Sequence, residues 1–171
     1  MDATMTDVKA GGSMLRWLWL TALVVIADLT TKALATASLV YAQPVPVMPS
    51  FNLTLLHNTG AAFSFLAGAA GWQRWFFIAL AVGVSIGLVA WLRTLQRHET
   101  WTAVAVALIL GGALGNLYDR VMHGYVVDFL HFYWQNHHFP AFNLADVAIT
   151  VGAAMMILDV FRKPSAAAGK E

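Results

Sequence analysis

The chain contains no cysteine, which excludes disulfides, thiol nucleophiles, zinc ribbons and iron–sulfur clusters together. Charge is scarce too. Only 11% of the 171 residues are charged and the net charge is +1, so no basic surface exists to track phosphates and nucleic acid is excluded as a partner. Nor is there a second composition regime, so one domain is expected. What remains is apolar: 59% of the residues are hydrophobic and the mean hydropathy is +0.65, which is the composition of a protein that lives in a bilayer.

A spanning helix needs roughly 20 apolar residues, and four segments have that length: about 15–37, 72–92, 101–120 and 143–161. Trp17, Trp19, Trp72, Trp75, Trp91, Trp101 and Trp134 mark their ends, as expected of rings at the headgroup level. Lys9 and Arg16 precede the first span, Arg93 and Arg97 lie between the second and third, and Arg162, Lys163 and Lys170 follow the fourth. The loops 33–73 and 121–142 carry no Lys or Arg. Positive charge is retained inside, so both termini are expected in the cytoplasm, with residues 1–13 and 163–171 as disordered tails around a membrane domain at 14–162. Arg16 followed by an apolar run and "ATA" at 35–37 imitates a cleavable secretory signal, but Asp28 and Lys32 are out of place in one. Between the spans, "FNLTL" alternates apolar with polar residues and "YVVDFLHFYW" is rich in strand formers, which predicts a small sheet at the outer surface.

A charge at mid-membrane costs about 2.5–3.5 kcal/mol on insertion scales, so every polar group in or beside a span needs a reason. Asp28, Lys32, Asn58, Asn116, Asp119, Arg120, Asp128, Asn143 and Asp146 all fall in the outer half of this topology or just above it. Asp28 and Lys32, four apart on one helical face, neutralise each other. Gly111 and Gly115 form a small-xxx-small face for close helix packing. Asn143 suits a helix N-cap and Asp146 its third position, where a carboxylate also suits the helix dipole. From this helix alone, capping and catalysis are both open. Asp128 in "VVDFL" decides between them, because neither a helix end nor a same-helix cation explains it. Two carboxylates in a low-dielectric site do not both ionise easily. One keeps a proton while the other activates water, which is the logic of aspartic proteolysis.

Competing motifs carry less. "GVSIG" at 83–87 matches a serine-elbow pattern but lies inside a span, with no histidine there to activate Ser85, and reads as small-residue helix packing. His123, His131, His137 and His138 crowd the second outer loop without any zinc-ligand spacing, so no metal or other cofactor is expected. A transporter would place polar groups in both leaflets, whereas the inner halves read as apolar. A non-catalytic scaffold held by buried ion pairs is the third class.

Five blocks, "DLTTK" (28–32), "NTGAAFS" (58–64), "GGALGNLYDR" (111–120), "GYVVDF" (124–129) and "FNLADVAI" (142–149), resemble in order the bacterial lipoprotein signal peptidases, or type II signal peptidases, over residues 14–162. The resemblance implies an α-helical integral membrane protein: four transmembrane helices with a small extracytoplasmic β-sheet cradle, in the bacterial inner membrane. It implies an aspartyl endopeptidase that removes the signal peptide of a prolipoprotein just before its diacylglyceryl-modified cysteine. By motif, Asp128 and Asp146 are the catalytic dyad. Asn58, Asn116, Arg120 and Asn143 bind substrate or orient the dyad, and Asp28, Lys32 and Asp119 support them. Implied partners are lipidated prolipoproteins, membrane lipids and cyclic peptide inhibitors such as globomycin. Val147 departs from the family, in which a small polar residue is common at that place.

Overall fold

The computed structural model describes residues 14–60 and 71–162. The expected disordered tails and the end of the "NTGAAFS" block lie outside the described residues. A short 3-10 turn, Met14–Trp17, leads into helix α1, Leu18–Ser38. Strands β1 (Val45–Met48) and β2 (Phe51–Asn58), helices α2 (Trp72–Thr94) and α3 (Thr100–Met122), strands β3 (Val126–Trp134) and β4 (His137–His138), and helix α4 (Leu144–Arg162) follow. All four helices are long and apolar enough to cross a membrane. Each end lies within two residues of the expected span once the first turn is counted.

The strands form one antiparallel sheet in the order β1-β2-β3-β4. All of them lie in the α1–α2 and α3–α4 connections, so the sheet sits at one end of the helices. Ser50 and Gln135, both with positive φ, occur at the two hairpin turns. The expected alternation in "FNLTL" is present but with polar residues on the covered face: Asn52 and Thr54 are buried while Phe51 and Leu53 are half-buried. Aromatic packing continues on the exposed side through Phe51, Phe132 and Phe142. The β2–β3 register slips between Leu53 and Leu56, and Leu56 is the partner of Asp128. A bulge re-aims neighbouring side chains, here just before the strand reaches the acid.

Helix α3 is the central post. It packs on α1, α2 and α4, and its Ala103, Ala105, Val106, Ala107 and Leu110 are almost fully buried. Its glycines make this possible, since small residues let helix backbones approach. A Cβ on Gly111 would meet Val24 of α1, one on Gly115 the Asp28 carboxylate, and one on Gly112 the Ala145 carbonyl of α4. "GVSIG" behaves differently from its reading as helix packing. A Cβ on Gly83 or Gly87 would meet nothing within 4 Å, because that face of α2 points away from α3. The inner halves are also less apolar than read: Asp159, near the end of α4, accepts a hydrogen bond from Thr102 at 3.1 Å.

Candidate active site

The two acids arrive on different kinds of structure. Asp128 is carried by the third position of β3 and Asp146 by the first turn of α4, and Asn143 joins them. The Asn143 side-chain nitrogen donates to Asp128 Oδ1 at 2.7 Å. Its backbone N–H donates to Asp146 Oδ2 at 3.3 Å, while its Oδ1 accepts from the Asp146 N–H at 3.0 Å. These last two bonds are the reciprocal capping box expected from the sequence. Capping therefore holds one carboxylate while the same residue's amide holds the other.

A second amide closes the arrangement. Asn116 donates to Asp146 Oδ1 at 2.8 Å, and its own Oδ1 accepts from Lys32 at 3.0 Å and from Asn143 at 3.1 Å. Asn58 at the end of β2 donates to Asp128 Oδ2 at 3.1 Å, and its Oδ1 accepts the Gly60 N–H.

Beneath the acids, Lys32 bridges Asp28 at 2.7 Å and Asp119 at 2.9 Å, all three side chains being almost wholly buried. The sequence reading paired Lys32 with Asp28 alone. In the fold each acid does a further job. Asp28 accepts the Ala145 N–H at 2.9 Å, and Asp119 accepts the Val127 N–H at 3.0 Å. Ala145 and Val127 are the residues immediately before Asp146 and Asp128, so one ammonium group anchors the backbone leading into both. Arg120 stands apart. It donates to the Asn116 carbonyl at 3.3 Å and lies over the Phe77 ring, and it feels the charges of Asp146, Asp128 and Asp119 without an ion pair to any of them.

The acids differ in exposure: Asp128 is 2% exposed and Asp146 only half-buried. Burial, reinforced by the nearby charge of Asp146, pushes the Asp128 carboxyl up to about 7 against the bonds from Asn58 and Asn143. A carboxyl with such a value stays protonated in a sizeable fraction of molecules near neutrality. Two cavities flank the pair. One of about 280 Å³ is lined by Leu56, His57, Asn58, Asp128 and Pro140. The other, of about 310 Å³ and mostly apolar, is lined by Phe142, Asp146, Val147, Thr150 and Val151. Burial and nearby His123 lower the His57 pKa, favouring a neutral ring beside the acids.

The other motifs go elsewhere. His131 pairs with Thr54 and His138, and no group of three metal-ligating side chains is assembled among the described residues. Ser85 is buried with no partner for its hydroxyl. Arg74 went unremarked in the sequence. It donates to the Arg120 and Val121 carbonyls at 2.8 Å each, satisfying the carbonyls left open at the end of α3. A cation placed against the charge bias was the available signal.

A family model described as Signal peptidase (SPase) II matches residues 20–162. The chain belongs to the signal peptidase II family. It is 57% identical to the lipoprotein signal peptidase of Pseudomonas aeruginosa over 92% of this chain and 94% of that one. With the lipoprotein signal peptidase of Acinetobacter baumannii the identity is 58%, over 85% and 82%. A solved bacterial membrane enzyme, determined by the in meso method at 2.3 Å, superposes with a TM-score of 0.78 at 31% identity, covering 91% of this chain and 93% of that one. As a signal peptidase II family member, the molecule is a membrane peptidase, and its four helices with an attached antiparallel sheet are the architecture expected of it.

Proposed function

We propose that this peptidase cleaves the signal peptide from diacylglyceryl-modified prolipoproteins just before the lipidated cysteine, with Asp128 and Asp146 as an aspartic dyad. One observation carries the reading: Asn143 holds two carboxyl groups of unequal burial, one of them raised to about 7. Environments that push two acids apart assign their roles. Buried Asp128 keeps the proton, and half-exposed Asp146, fixed by Asn116, is the base.

Asp146 takes a proton from water as the water oxygen bonds to the scissile carbonyl carbon, while Asp128 gives its proton to the carbonyl oxygen. The resulting diol collapses as the C–N bond breaks. Asp146 passes its proton to the leaving amine, and one diol proton returns to Asp128. Both carboxyl groups end as they began, with no covalent enzyme intermediate. The cavity beside Asn58, the more polar of the two, suits the peptide, and the one along Phe142, Val147 and Val151 suits the lipid on its cysteine. Val147 thus serves lipid contact where a polar residue would serve a hydrogen bond. The charge bias puts both termini in the cytoplasm and the sheet and dyad at the outer face of the inner membrane. Globomycin-type cyclic peptides would occupy the same site, which makes it an antibiotic target.

The deciding experiment is gel-shift cleavage of a lipidated prolipoprotein by purified Asp128→Asn and Asp146→Asn variants. Both are expected to insert, fold and bind substrate but not cut it. Near-normal cleavage by either would falsify the dyad.

A further inference from the structure

Helices α1 and α2 each pack on α3, and the space between them stays open. An apolar groove of about 680 Å³ runs there, walled by Val25 and Ile26 of α1 and Val89 of α2, with Leu110 and Leu114 as its floor. It occupies the half of the helices away from the sheet, so it is separate from the dyad. Two polar residues of α2 distinguish it from ordinary helix surface. Ser85 is 8% exposed, lines the groove and has no hydrogen-bond partner, whereas Thr21 in the same wall uses its hydroxyl on the Ala107 carbonyl. Arg93 lines the other end and is exposed. No acid lines the groove and Arg93 has no ion pair among the described residues. Exposed Arg16 and Arg97 lie near the same end in sequence.

We propose that this groove binds one acyl chain of an anionic glycerophospholipid from the cytoplasmic leaflet, with Arg93 holding its phosphate. An exposed arginine lining a groove that no acid lines calls for an occupant that brings negative charge, and basic pockets between helices on the cytoplasmic side suit anionic headgroups. Another transmembrane helix fits the charge poorly. Helices end in Lys and Arg on that side, and so do the basic starts of signal sequences, which puts like charge against Arg93. The site stands whether or not the peptidase reading does.

The full chain is reconstituted in nanodiscs of equal phosphatidylglycerol and phosphatidylcholine, and lipid retained on the released protein is counted by native mass spectrometry. The intact protein should keep one lipid, with phosphatidylglycerol favoured roughly fivefold, the order expected of one arginine at an anionic surface. Arg93→Gln, at an exposed position, should erase that preference. Ser85→Phe, which fills the groove, should lower retention of both lipids. Equal retention of the two lipids by the intact protein, an undiminished preference in Arg93→Gln, or a lipid-free dimer would each overturn the assignment.

Discussion

Asp28 and Ala145 are 117 positions apart in the chain and share one hydrogen bond, the Ala145 N–H donating to Asp28 Oδ1 at 2.9 Å. Through it the first helix holds the start of the fourth, one residue before Asp146. The bond depends on Lys32, which is paired with both Asp28 and Asp119.

Lys32→Met should therefore be far more damaging than loss of a surface charge. Removing one partner from a buried ionic cluster costs on the order of 3–5 kcal/mol, because the acids stay buried without compensation. Thermal unfolding in detergent should show the loss, and cleavage should fall with it, since both backbone anchors loosen. A stability change below about 1 kcal/mol, the scale of an exposed pair, would show that Lys32 is not the hub.

Asn143→Ala should separate positioning from folding. Loss of an N-cap costs about 0.5–2 kcal/mol, which leaves a folded protein. Cleavage should drop by a factor on the order of 100, because Asp128 and Asp146 lose their common tether and misplacement at that scale is costly in rate. Turnover should fall with little change in substrate binding. A variant that unfolds mildly but cuts normally would remove Asn143 from the mechanism.

The pH dependence follows from Asp128. Its folded value, about 7, lies above the ordinary 3.8, so between those values the folded state binds the extra proton. Stability from this group is full below the lower value and is lost as pH rises through the higher one, with a slope of up to about 1.4 kcal/mol per pH unit. Asp128→Asn should flatten that slope in thermal denaturation. In the proposed mechanism that proton is also the one given to the carbonyl oxygen, so kcat/KM should decline above about pH 7. A rate still rising at pH 9 would contradict the assignment of acid and base.

Two glycine substitutions should part company. In Gly112→Ala the new methyl falls on the Ala145 carbonyl, and overpacking of this kind costs about 1–3 kcal/mol. Gly87→Ala meets open space, so it should be neutral or gain up to about 1 kcal/mol from reduced backbone entropy. Side-by-side melting curves decide, and equal effects would mean that α3 and α4 are not in the contact described.

The sequence was informative where the relevant physics is local. Apolar run length found the spans, and the spacing of Asn143 and Asp146 announced a capping box. Alternation found β2, though not which face would be covered. What escaped depends on partners distant in the chain. Lys32 looked like half of an i, i+4 pair because nothing local connects it to Asp119, 87 positions on. Arg74 reads as a stray cation until α3 ends beside it. Gly83 and Gly87 have the spacing of a packing face, but spacing does not say whether a helix lies opposite. The exposure that divides Asp128 from Asp146 is likewise a property of the assembled fold.

One acid rides on a strand of the sheet and the other on a helix long and apolar enough to cross a membrane. The pair therefore straddles the joint between sheet and helices, pinned by Asn143 and Lys32. A shift of α4 against the sheet would strain that joint and alter the spacing of the two carboxyl groups without changing a side chain.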